Sequence, residues 1–233
     1  MWITGGTRGI GLAVARALVA AGARVLLTGR DAATAAEAAA ALTAAQPVGD
    51  AIGLAADVRD PASLRAAVAA ATGRFGRLDA LIANTGVGRM APIQDLSEDD
   101  WREVIDTNLT GAYHSVRAAL DALVASGGTI VTIGSLAGAH AFAGGAAYNA
   151  SKFGLLGFGE AIMQDLRELG VRVATVMPGS VATGFSRGGG DDGWKLQAED
   201  VAEAVAFVLR NPGRALPSRI ELRPARRRPP GGG

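Results

Sequence analysis

The chain has 233 residues, 49% of them apolar, and a formal charge of +1. That size suits one α/β unit with a large core, and the charge balance points to neither nucleic acid nor an anionic membrane. With no cysteine and only two histidines, His114 and His140, the chain excludes disulfides, thiolate catalysis and zinc–sulfur sites, and its histidine spacing matches no metal-ligand pattern.

No signal-peptide pattern opens the sequence, and no apolar run is long enough to span a bilayer. A soluble, cytoplasmic protein is therefore expected. Short apolar runs ending in Gly or Asp alternate with Ala-rich amphipathic stretches. Periodicity predicts strands over 2–4, 24–28, 51–57, 79–83, 129–133, 171–177 and 220–222, and helices over 9–21, 32–45, 61–73, 100–125, 148–169 and 198–209. Start signals stand at Asp31, at Asp60-Pro61 and at Ser97-Glu98-Asp99-Asp100. Such alternation predicts an α/β fold with a doubly wound, seven-stranded parallel sheet and helices on both faces. One domain is expected over 1–223, with 188–193 a mobile loop and 224–233 a disordered tail. The first strand has three residues, short against the usual five or six. Either the sheet tolerates a short central strand or the natural chain begins upstream.

That strand feeds Thr4-Gly5-Gly6-Thr7-Arg8-Gly9-Ile10-Gly11 and then an Ala/Leu/Val helix. Glycines at a strand-to-helix turn let the backbone approach a pyrophosphate, and the helix N-terminus offers free N–H groups. The spacing is G-x-x-x-G-x-G rather than the commoner G-x-G-x-x-G; a turn serving only helix–strand packing is the plain alternative. The second predicted strand ends in Gly29-Arg30 with no acid at its tip, where a carboxylate would otherwise receive a ribose hydroxyl. Arg8 and Arg30 together suit a 2′-phosphate, so NADP(H) is expected over NAD(H). Asp31 is placed either to reach a ribose hydroxyl or to cap the following helix, and the Ala-rich run after it favours the cap.

Only two of the 23 basic residues are lysine, and one lies in Tyr148-Asn149-Ala150-Ser151-Lys152. Tyr148 and Lys152 share one face of a predicted helix. A free tyrosine has a pKa near 10, and lowering it by about three units takes roughly 4 kcal/mol. An ammonium about 4 Å away supplies roughly that at an effective dielectric near 20, but only about 1 kcal/mol in water. The pair therefore needs a desolvated cleft, and the positive charge of an oxidised nicotinamide would add to the effect. Lysine is suited as a compact point charge on a slim stem. Ser135 closes the predicted strand 129–133 at the sheet edge where open α/β sheets bind ligands. There its hydroxyl either orients a substrate carbonyl toward Tyr148 or serves as an ordinary turn serine.

With these residues in place, the chain resembles the short-chain dehydrogenase/reductase family over essentially its whole length. The resemblance is carried by Thr4-Gly5-x-x-x-Gly9-x-Gly11, Asp57-Val58, Asn84-Thr85-Gly86, Asn108, Ser135, Tyr148-x-x-x-Lys152 and Pro178-Gly179 followed by Thr183. It implies a Rossmann fold binding NADP(H) through Gly5, Thr7, Arg8, Gly9, Ile10, Gly11 and Arg30. It further implies that Asp57 and Val58 contact adenine and that Asn84, Thr85 and Gly86 line the cofactor wall, Thr85 standing where the family usually has Ala. Pro178, Gly179, Val181 and Thr183 would hold the carboxamide end. Asn108 would hold a helix kink and an active-site water in a proton relay through Lys152, which would also bind the ribose. Asn108, Ser135, Tyr148 and Lys152 would form the catalytic set, reducing a small carbonyl or oxidising an alcohol. A homodimer or homotetramer through 100–125 and 148–169 is implied. Val87, Met90, His140, Phe142, Phe185 and Trp194 are candidate pocket walls, and the short segment after Thr183 suggests an open cleft. Two rival readings are a 3-oxoacyl-thioester reductase and a non-catalytic dinucleotide sensor; the complete Asn–Ser–Tyr–Lys set argues against the second.

Overall fold

The structure is a computed structural model that describes residues 1–45, 48–185 and 192–226. Residues 188–191 of the expected loop and 227–233 of the expected tail lie outside the described residues. The strands are β1 (Trp2–Thr4), β2 (Arg24–Gly29), β3 (Asp50–Ala55), β4 (Ala80–Ala83), β5 (Thr129–Ile133), β6 (Arg172–Pro178) and β7 (Arg219–Leu222). Between them run α1 (Gly9–Ala20), α2 (Ala32–Ala45), α3 (Pro61–Phe75), α4 (Glu98–Ile105), α5 (Gly111–Ser126), α6 (Ala146–Arg167) and α7 (Ala198–Arg210).

All strands pair in parallel in the order β3-β2-β1-β4-β5-β6-β7. The order reverses between β1 and β4, where successive crossovers leave for opposite faces. Strand alternation divides the core accordingly. Ile3, Val25, Leu27, Ile82 and Val176 face one cluster with Val14, Leu18, Val201 and Val205 of α1 and α7. Trp2, Leu26, Leu81, Ile130 and Val173 face the other with Leu64, Val116 and Leu123 of α3 and α5. The short first strand is tolerated because all three of its residues are buried and paired with β2, and Trp2 and Ile3 pair with β4 as well. The Trp2 indole N–H donates to Thr28 Oγ1 at 3.2 Å, so even its polar atom is partnered inside the core.

Helix starts follow their sequence signals. Asp31 accepts from Thr34 N at 2.7 Å and from its hydroxyl at 2.6 Å, capping α2; Asp60 and Ser97 cap α3 and α4. The expected single helix over 100–125 is corrected. After α4 the chain makes a π-helical turn over Asp106–Thr110 and only then enters α5. The turn is held from outside the helix: Asn108 Oδ1 accepts from Val87 N at 2.7 Å and its Nδ2 donates to Val87 O at 2.9 Å. Apolar periodicity carries no trace of such a widened turn.

Gly53 shows how closely α2 is pressed onto β3. A Cβ there would lie 1.8 Å from Ala35 O, a backbone atom that cannot turn aside. Gly53→Ala is expected to cost about 2–3 kcal/mol of stability by overpacking, read as a lower urea midpoint with unchanged slope. A loss below about 0.5 kcal/mol would mean that α2 moves freely off the sheet.

Candidate functional site

The crevice opens at the strand-order reversal. Thr4 Oγ1 accepts from Asn84 N at 3.1 Å and Thr85 N at 3.2 Å, while Asn84 Nδ2 donates to Thr4 O at 2.9 Å and Gly5 O at 3.0 Å. Asn84 thus ties the end of β4 to the glycine turn. Gly5 and Gly9 have φ of 62° and 54°, the left-handed region. A Cβ on Gly11 would lie 2.3 Å from Gly5 O, so the turn closes only without one. Thr7 packs against Gly29 at the end of β2, and Ile10 packs on the core. No side chain caps α1 and no acid stands in its first turn. Its N-terminal amides are therefore open to an anion, as a pyrophosphate site requires.

At the tips of β2 and β3 the charges are sorted. Arg8 and Arg30 are exposed, and neither makes an ion pair among the described residues. The Asp31 carboxylate is engaged by Thr34. Asp57, just past β3, accepts from Arg59 Nη2 at 2.6 Å and Nε at 3.0 Å, bonds that hold its carboxyl below the usual carboxylate range. Val58 is buried against Gly111, and its carbonyl meets His114 Nδ1 at 3.2 Å. These residues fit an adenosine carrying a 2′-phosphate: two guanidiniums without an ion pair among the described residues, with both oxygens of Asp57 taken by Arg59 and one oxygen of Asp31 taken by Thr34.

Beyond β5 and β6 lies the opposite end. Ser135 caps a short 3-10 turn, accepting from Ala137 N at 3.1 Å. It also lies near enough to the Tyr148 phenol to favour the ionised form. Lys152, 4% exposed, places its ammonium 5.8 Å from the Tyr148 ring centroid and donates to Ile133 O at 2.9 Å. Gly86 lies beside both Asn108 Oδ1 and Lys152 Nζ, at 3.4 Å and 3.7 Å from the Cβ it lacks. Gly179 N donates to Leu222 O at 2.8 Å, Val181 bridges to Leu196, and Thr183 lies against Gly9. The two ends of the crevice are thereby joined across the glycine turn. The Phe185 ring stands 5.8 Å from that of Tyr148 and packs on Gly88, covering part of the cleft. Of the other expected walls, Met90 and Phe142 are exposed at the mouth and His140 turns to Arg223, 3.2 Å away.

The pKa balance differs from the simple picture of a lysine lowering a phenol. Burial pushes Tyr148 above its ordinary 10, opposed only by the nearby Ser135 hydroxyl. Burial also brings Lys152 from 10.5 to about 8. Among protein groups alone, desolvation is the leading cause of both shifts.

Two residues inside YNASK were overlooked in the sequence. Asn149 Nδ2 donates to Ala137 O at 2.7 Å and holds the Ser135 turn against α6. Ser151 accepts from Asn108 Nδ2 at 3.0 Å and donates to Tyr148 O at 2.8 Å, locking the π-helical turn to the helix that carries the tyrosine. Their one signal was two small polar residues set between Tyr148 and Lys152 in the first turns of the helix. Among the described residues no group of acids and histidines could hold a metal ion.

A family model described as short chain dehydrogenase matches residues 1–192. A 3-oxoacyl-(acyl-carrier-protein) reductase of Salmonella typhimurium is 34% identical over 223 residues, spanning 88% of this chain and 87% of the relative. An alcohol dehydrogenase from the archaeon Thermococcus sibiricus, complexed with 5-hydroxy-NADP, superposes with a TM-score of 0.90 at 28% identity, over 98% of this chain and 97% of that one. A metagenomic short-chain oxidoreductase in complex with NADP gives a TM-score of 0.84 at 34% identity, over 97% and 96% of the two chains.

Lys152 holds its proton up to 10.5 in the unfolded chain but only to about 8 when folded. Between those values the unfolded state binds more protons, so stability rises with pH; below them the burial cost is at full strength. Lys152→Met removes that cost and loses one hydrogen bond. The variant is expected to be about 2 kcal/mol more stable than the parent at neutral pH. The gain should shrink from pH 8 toward pH 10.5 in urea titrations. A difference independent of pH would reject this account.

Proposed function

The chain belongs to the short-chain dehydrogenase family, and on that premise we propose that it is an NADP(H)-dependent oxidoreductase acting on a small carbonyl or secondary alcohol. The observation that carries this reading is the buried Lys152, its ammonium 5.8 Å from the Tyr148 ring, with Ser135 near the same phenol. When bound, NADPH supplies the hydride that the carbonyl carbon receives. The Ser135 hydroxyl holds the carbonyl oxygen in place, and the Tyr148 phenol gives that oxygen its proton. Lys152 faces the ring and stabilises the phenolate left behind; within reach of it, Asn108 keeps the π-helical turn and the Val87 backbone in register. Run backward, the same groups accept the proton of an alcohol. Preference for the 2′-phosphate is assigned to Arg8 and Arg30, and the adenine wall to Val58 with Asp57.

A second reading, reduction of a 3-oxoacyl thioester, is supported by similarity to the Salmonella reductase. Against it, Arg89 at the cleft is taken up by Glu103 at 2.7 Å and Asp100 at 3.3 Å, and α4 opens with Glu98, Asp99 and Asp100. An acidic carrier would meet this acid-rich rim unfavourably. Self-association through α4–α6 is proposed from the exposed Trp101, Tyr113 and Phe153 on those helices; light scattering should return a dimer or tetramer, and a monomer would reject it.

Spectrophotometric turnover on ketones, aldehydes and 3-oxoacyl thioesters tests the reading. NADPH should exceed NADH at least about tenfold in kcat/KM, and Tyr148→Phe should lower kcat roughly a thousandfold with cofactor binding retained. Equal use of NADH would sink the cofactor assignment; full activity in the Phe variant would sink the tyrosine's role.

A further inference from the structure

At the end of the crevice away from Tyr148, the tips of β2 and β3 lie side by side. Gly29 stands opposite Ala55 in the register, and Ala56 N donates to Gly29 O at 2.8 Å. Just beyond them come Arg30 on one strand and Asp57 on the other, near enough that the Arg30 charge acts on the Asp57 carboxyl. An unattended carboxylate there would be the natural partner of Arg30, and a guanidinium so paired is a poor phosphate ligand.

Arg59 prevents that pairing. Its Nη2 donates to Asp57 Oδ2 at 2.6 Å, its Nε lies 3.0 Å and 3.2 Å from the two oxygens, and its backbone N–H donates to Oδ1 at 2.9 Å. Both oxygens are held by the planar fork of an arginine, a geometry that a lysine ammonium does not reproduce. Ser63 fixes the backbone beneath, accepting from Asp57 N at 3.2 Å. Glu103 and Asp106 add to the negative field around Arg59. The other nearby carboxylate, Asp31, is already held by Thr34.

We propose that Arg59 is a positioning residue for cofactor selection: by occupying both oxygens of Asp57 it keeps Arg30 unpaired and available to a 2′-phosphate. The proposal rests on the NADP(H) reading and adds to it a residue that need not touch the cofactor. Removing Arg59 releases Asp57 to capture Arg30; removing the Asp57 carboxylate as well sets Arg30 free again.

Calorimetric titration of the full chain with adenosine 2′,5′-bisphosphate and with 5′-AMP, two ligands that differ only in the 2′-phosphate, tests this without turnover. The wild type should favour the bisphosphate. In Arg59→Leu the ratio of the two affinities should fall roughly tenfold, with 5′-AMP binding within about twofold of wild type as the check on folding. In Arg59→Leu/Asp57→Asn the ratio should recover, and any general loss of adenine affinity cancels in it. An unchanged ratio in the single variant overturns the proposal. So does a fall that the second substitution does not reverse, since Arg59 would then be a direct phosphate ligand. A wild type indifferent to the 2′-phosphate would overturn the NADP(H) reading, and this inference with it.

Discussion

The crevice exists because β1 and β4 send their crossovers to opposite faces of the sheet, and it stays narrow because Thr4 and Asn84 bind the two strand ends together. Splayed helices would otherwise leave the glycine turn without support. Asn84 gives both amide hydrogens to Thr4 O and Gly5 O, carbonyls that a tight turn cannot pair within itself. Everything at the cofactor end is placed from that anchor: the left-handed Gly5, the close approach of Gly11, the uncapped start of α1, and the contact of Thr183 with Gly9. An asparagine read as lining a cofactor wall is first a structural tie.

A second constraint acts at the reacting end, where polar groups are buried and each must find a partner. No buried side-chain nitrogen or oxygen among the described residues lacks one. The chain of bonds runs from Val87 through Asn108 and Ser151 to the Tyr148 backbone, and separately from Ala137 through Asn149 to α6. A fully satisfied network of this kind fixes one arrangement, because any side chain that leaves it abandons a desolvated partner. The π-helical turn belongs to the same network: widening the helix at Asp106–Thr110 accompanies the reach of Asn108 to the Val87 backbone.

Strand and helix placement was legible because it depends on apolar periodicity and end signals, which are local. Asp31, Asp60 and Ser97 cap helices where their positions foretold. What was not legible depends on contacts between distant segments. The break in the helix over 100–125 is tied to Val87, some twenty residues upstream, and no local pattern encodes it. Asp57 reads as an adenine contact by resemblance, yet its carboxylate is governed by Arg59 two residues on, in a turn whose shape the sequence does not announce. The tyrosine–lysine spacing was plain, but the direction of the two pKa shifts was not, because burial is a property of the folded cleft and here leads both.

That burial also explains why residue 152 is lysine in a chain otherwise rich in arginine. The pocket is almost closed to solvent and offers the ammonium the Ile133 carbonyl. Asn108 Oδ1, the nearby side-chain acceptor, is already taken by Val87 N. An arginine would bring five donors on a rigid plane into a space that provides few acceptors, and a charge that cannot be relinquished by deprotonation. A lysine brings three donors on a rotating head, and burial has already lowered its proton affinity to about 8. Near neutrality such a group keeps its charge in the cleft with little to spare, so its charge answers to small changes in the surrounding field. Arginine, charged at every accessible pH, lacks that responsiveness, and this is a physical reason for the exception at 152.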